Sequence, residues 1–149
     1  MVDSRRYDEL LREVTLDDVA RAWIRYHHAE SHPADTYDDP EWWAVELWMD
    51  TLTDGDAWWA DEARVRAGIL AIVDRAGDDD VGVIGAVIME VFITDDADRL
   101  AWVEQQAGVS DRFRRSLANV YVWGELPDEV SQRVENVAGV RLPRPRYRI

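Results

Sequence analysis

Three histidines fall close together, His27, His28 and His32, with Glu30 among them and Asp35 just beyond. Imidazole and carboxylate are the ligands that zinc, iron and manganese take. His28 and His32 stand four apart, the spacing that puts two imidazoles on one helix face, and Glu30 or Asp35 could complete a shell. Such a group would support a small metal-dependent hydrolase. Pro33 works against it, because the residue before a proline leaves the helical region, so the helix should end near Ser31 or His32. His28, His32 and Glu30 are thus the metal candidates, but no metal, cofactor or catalytic residue is assigned.

Glu90 is the second chemical group, a carboxylate inside the run Val-Ile-Met-Glu-Val-Phe-Ile. A buried acid needs a partner or a raised pKa. The expectation is a structural pair with an arginine, an indole N–H or a helix N-terminus. Catalysis would need a second group, which the sequence does not identify. Arg112, Arg114 and Arg115 open a helix, where the dipole disfavours cations, so pairing with Asp111 or Glu104 is expected. Asp50 to Asp61 has Asp-Gly where a calcium loop has its fifth and sixth positions. Leu52 at the third and Asp61 at the twelfth defeat the coordination pattern. No phosphate loop, nucleophile elbow or HExxH zinc helix occurs, which argues against a familiar enzyme.

The tryptophans, eight in 149 residues, are the third group. Adjacent residues on a helix point about 100° apart, so Trp42/Trp43 and Trp58/Trp59 cannot all lie in one core seam. Some of these rings should reach the rim. Trp is a favoured interface anchor, and these pairs sit among acids. Trp42, Trp43, Trp48, Trp58 and Trp59, with Glu41, Glu46, Asp54 and Asp56, form the candidate partner-binding set. Trp102 falls beside the Leu100/Val103 stripe and poses the same question.

Composition bounds the partners. The formal net charge is −14, and all 17 basic residues are arginine. From Asp35 to Asp98 eighteen carboxylates face three arginines, whereas Arg141 to Ile149 holds four arginines and no acid. The acidic body disfavours nucleic acid and anionic membranes and favours a basic protein partner. With no cysteine, disulfides and thiolate chemistry are excluded. Neither a secretory signal nor an apolar stretch of bilayer length is visible, so the cytoplasm is the expected location.

Helices must position these groups. Apolar residues recur at helical spacing, as in Leu16, Val19, Ala20 and Trp23, and in Val130, Val134, Val137 and Ala138. Starts are marked by Thr15, Asp39 before Pro40, Thr94, Ser110 and Pro127. Ends are marked by Ala76-Gly77, Ala107-Gly108, Trp123-Gly124 and Ala138-Gly139. The spacing predicts helices near 4–14, 16–29, 40–53, 57–76, 79–93, 95–107, 111–123 and 128–138. In 79–93 a buried strand competes, and length decides for helix. The fold expected is all-α, a compact multi-helix bundle or stacked helical hairpins of about seven or eight helices. One domain should span 1–140, with an extended Arg/Pro-rich tail over 141–149.

The runs Ile-Leu-Ala-Ile-Val-Asp, Ile-Gly-Ala-Val-Ile-Met-Glu-Val-Phe and Val-Ser-Asp-Arg-Phe-Arg-Arg-Ser-Leu-Ala-Asn-Val-Tyr give residues 69–134 a likeness. That stretch resembles a small uncharacterised bacterial family of all-helical domains. The resemblance implies a helical fold and no activity.

The function expected is that of a non-catalytic acidic domain binding a basic protein, such as an immunity or inhibitor protein. Self-association through the tryptophans or the basic tail is a version of the same idea. The alternative is a small metal-dependent enzyme built on the 27–35 cluster. Nucleic-acid binding by the tail and the Arg112–Arg115 patch ranks third.

Overall fold

A computed structural model describes residues 13–53, 61–122 and 126–144. The protein is all-α, with seven helices and no strand among the described residues. The chain divides into two compact units, Met1–Arg75 and Ala76–Ile149.

In the first unit, α1 (Leu16–His28) packs against α2 (Trp42–Thr53) and α3 (Glu62–Arg75). Helix α1 starts with a reciprocal cap. The Asp18 amide donates to Thr15 Oγ1 at 3.1 Å, and the Thr15 amide donates to Asp18 Oδ2 at 3.0 Å. Two amides left free by helix geometry are thereby satisfied. The apolar stripe of α1 buries Val19, Ala20, Ala22 and Trp23. Ala44, Leu47 and Trp48 of α2 and Ile69 and Ile72 of α3 are buried likewise. Between α1 and α2 runs a loop with one 3-10 turn, Thr36–Asp38.

In the second unit, α4 spans 81–92, α5 is Ala97–Val109, α6 is Asp111–Leu117 and α7 is Asp128–Ala138. The short α6 touches each of the other three. Its Phe113 and Leu117 are fully buried, and the Trp102 ring of α5 meets Phe92 and Phe113 edge-on at 5.5 and 5.6 Å. Trp102 is therefore a packing residue.

The ambiguous apolar segment 79–93 is a helix, but an irregular one. Helix α4 widens from Val81–Val83 into a π-helix over Ile84–Met89 and resumes over Glu90–Phe92. A Cβ at Gly85 would stand 1.9 Å from the carbonyl oxygen of Ser116 in α6. Glycine is thus required where the two helices cross.

Several boundaries depart from the sequence reading. Helix α6 stops at Leu117 rather than near 123, and Val120 and Val122 are buried on either side of a half-buried Tyr121. That period-two pattern suits extended chain, and the Val122 amide donates to the Pro143 carbonyl at 2.9 Å. Helix α5 runs through Ala107-Gly108 to Val109, with open space beside the Gly108 Cα. Gly139 does close α7, at φ 73° and ψ 16°. Helix α5 is capped by Asp96, whose side chain accepts the Arg99 amide, and so starts later than Thr94 suggests. The predicted helix 4–14 and the Trp123-Gly124 end lie outside the described residues, Glu13 and part of its flank aside. The tail begins pinned: Glu135 Oε1 accepts the Leu142 amide at 3.2 Å and Arg144 Nη1 at 2.6 Å.

Candidate functional site

The loop between α1 and α2 is folded back on α1 by aromatic and ionic contacts. Helix α1 ends at His28, and Ala29 leaves the helix with ψ 131°. His32 is therefore not on the helix, and the i,i+4 pairing with His28 is not realised. Its ring instead stacks on Tyr26, with centroids 4.1 Å apart and planes at 22°. Its Nδ1 meets Asp39 Oδ2 at 2.8 Å. The other oxygen of Asp39 accepts the Glu41 amide at 2.9 Å, at the start of α2. His32 and the Glu41 amide, in that order of weight, hold the Asp39 carboxyl below its ordinary value of 3.8. Among the described residues no group of three His, Cys, Asp or Glu side chains could hold a metal ion. His28 thus ends α1, whereas Glu30 and His32 lie in the loop beyond it, where His32 is engaged by Asp39 and Tyr26.

The aromatic cluster continues inward. Tyr26 lies 5.6 Å from Trp42 and 5.2 Å from His27, whose ring lies 4.1 Å from Trp23. Trp42 and Trp43 are both half-buried, so neither ring lies wholly in the core. Trp48 is different. It is 1% exposed, so its ring belongs to the core rather than to a surface a partner can reach. The reason is register: Ala44, Leu47 and Trp48 share the face of α2 that turns inward. Trp58, Trp59, Asp54 and Asp56 lie outside the described residues.

The acids of this unit divide into engaged and unengaged groups. Glu41 holds Arg25 through both oxygens, at 2.7 and 3.2 Å, so its charge is locally offset. Asp17 takes Arg21 at 3.0 Å and also Arg75, and Glu62 takes Arg66 at 3.2 Å. Among the described residues, Glu30, Asp38 and Glu46 have no cationic partner. Asp35 only caps the turn, accepting the Tyr37 amide at 3.0 Å. Between these acids, Tyr37 is 62% exposed, and Met49 on α2 is 50% exposed. Composition points to this acidic surface through its tryptophans. It does not point to Tyr37 or Met49, because a single exposed apolar residue leaves no periodic signal.

In the second unit Arg114, Arg115, Arg133 and Arg144 are bound to acids. Arg114 pairs with Asp111, and Arg115 reaches both Asp111 and Asp78 at 3.1 Å. Arg133 pairs with Glu104, so that acid is taken by α7 rather than by the α6 arginines. Glu90 is half-buried, and its Oε2 accepts the Tyr121 amide at 3.4 Å. Its structural partners thus include extended backbone, beyond the arginine, indole or helix end that the sequence leads one to expect.

No described helix is long and apolar enough to cross a membrane. No family model, no curated protein and no solved structure matches the chain. The resemblance over 69–134 therefore adds the helical expectation alone, and a functional reading rests on the chain's own residues.

Proposed function

We propose that the protein is a non-catalytic binding domain whose acidic face on the first unit engages a basic protein. The observation that carries this reading is the group of acids without cationic partners, Glu30, Asp38 and Glu46, in the same stretch as the exposed Tyr37 and Met49. Every arginine of α1 already serves an acid of its own unit. The remaining negative charge therefore acts outward, where it speeds and orients encounter with a positive partner. The aromatic and thioether groups supply the apolar contact that charge alone does not. An immunity or inhibitor protein for a basic enzyme, a nuclease-like toxin for example, fits this combination.

The test compares the native chain with the triple variant Tyr37→Ala, Asp38→Asn, Glu46→Gln in tagged capture from the source cells. These side chains make no structural hydrogen bond or ion pair among the described residues, so stability should change by less than about 0.5 kcal/mol per site. Stoichiometric recovery of a basic protein by the native chain, weakened at least about tenfold in the variant, is expected. Recovery unaffected by the three substitutions, or of a partner with no basic surface, would overturn the reading.

A further inference from the structure

The second unit contains a cavity that the acidic-face reading does not use. It has a volume of about 350 Å³ and opens where the end of α4 meets the extended segment after α6. Ile93, Val120 and Leu126 give it apolar walls, and the half-exposed Val91 stands at its edge. Two carboxylates, Glu90 and Asp95, line it, and among the described residues its lining holds no basic side chain. A pocket near the lower end of the ~300–1,000 Å³ range suits a small ligand rather than a large cofactor.

How Glu90 comes to line this cavity is written in α4. In a regular helix each residue turns by about 100°. A π-helical turn takes up an extra residue, so the next residues along the chain are rotated by about that angle relative to an unbroken helix. The π-helix here ends at Met89, one residue before Glu90. Met89 and Ile88 stay fully buried while the carboxylate emerges at the cavity wall beside Tyr121. Gly85, within the same stretch, lets α4 lie close against α6, since any side chain there would meet the Ser116 carbonyl. Helical regularity is given up at the point where it sets the direction of the one acid in an apolar run, a pattern that local structure alone does not reward.

We infer that this cavity is a binding site for a small organic cation, an ammonium or guanidinium on a short apolar stem. The walls remove the stem from water, and the two carboxylates favour the cationic end in a concave, partly desolvated setting. A free amine and an arginine or lysine side chain displayed by another protein share this chemistry. The site is independent of the acidic face and stands or falls separately from it.

The experiment is a nitrogen-15 NMR titration of the full chain with agmatine, with the capped tripeptide acetyl-Gly-Arg-Gly-amide, and with 1-butanol as an uncharged stem. Saturable shifts at the amides of Glu90, Val91 and Tyr121 with agmatine or the tripeptide, and far weaker ones with butanol, are expected. Stronger binding of agmatine would identify a free amine as the natural occupant. Equal or stronger binding of the tripeptide would identify a displayed side chain. The Asp95→Asn variant changes an exposed residue and should keep the native spectrum while weakening binding about twofold to fivefold. Glu90→Gln should weaken it by about tenfold or more. If Glu90→Gln disturbs the fold, Asp95→Asn and a blocking Val91→Trp variant still decide the matter. Equal binding of butanol, no saturable shift with either cation, or affinities indifferent to Asp95→Asn and Val91→Trp would overturn the proposal.

Discussion

The two units hold their helices together in different ways, and their charge shows it. Met1–Arg75 carries eighteen carboxylates against eight arginines, whereas Ala76–Ile149 carries thirteen against nine. In the first unit, rings do much of the joining: Tyr26, His32 and Trp42 fasten the loop after α1, and Trp23 and Trp48 fill the core. In the second, a glycine contact brings α4 against α6, and arginines tie the chain to itself, Arg115 to Asp78, Arg133 to Glu104 and Arg144 to Glu135. In the second unit Asp78, Glu104, Asp111 and Glu135 are paired with arginines, and its excess of acids is the smaller one. Acids in the first exceed what its arginines can take, and the excess is left to the surface. Net charge is therefore a property of one region of the molecule more than of the whole.

The largest effect should come from the core of the first unit. Trp48→Ala removes a fully buried ring and should cost about 3–5 kcal/mol in urea unfolding, while Trp43→Ala, half-exposed, should cost well under half of that. Equal losses would mean that the two rings are not divided between core and surface. Next is the helix crossing of the second unit. Gly85→Ala should destabilise by about 3 kcal/mol, because the obstacle is a backbone carbonyl that cannot swing aside. A neutral result in the same measurement would show that α4 and α6 are not in close contact.

Smaller effects belong to the ion pairs. Glu104→Gln should cost less than about 1 kcal/mol, and less still in high salt, since Arg133 and Glu104 meet at the surface. A loss that is large and insensitive to salt would contradict a surface pair. The smallest effect is local and depends on pH. Asp39 is held below its ordinary value by His32 and the Glu41 amide, so its contribution is present above the unfolded-state value. That contribution is lost as pH falls through the lower, folded value. Protection of the Glu41 amide from hydrogen exchange should persist below the usual aspartate range and then vanish, and Asp39→Asn should remove this pH dependence. Protection that titrates at an ordinary aspartate value would show that the His32 contact does not form in solution.

The sequence by itself determined the helices and several of their caps. Thr15, Ser110 and Gly139 act through bonds to residues within a few positions, so their roles can be read locally. Pro33 bounded α1 only loosely, since the helix stops at His28 rather than near Ser31 or His32. The uneven charge was legible too, since counting residues needs no coordinates. Other features could not be read this way because each depends on a residue far along the chain. His32 turns to Asp39 and Tyr26, not to His28, because the loop folds back on α1. The close crossing of α4 and α6 depends on Gly85 against Ser116, and the extended segment after α6 is held by the Val122 amide on Pro143. Trp48 is buried and Trp42 half-exposed because of which face of α2 meets α1, a choice that two similar tryptophan-rich faces leave open until the helices pack. Short-range bonding chose the elements, and long-range packing chose their ends, their irregularities and which side chains reach the solvent.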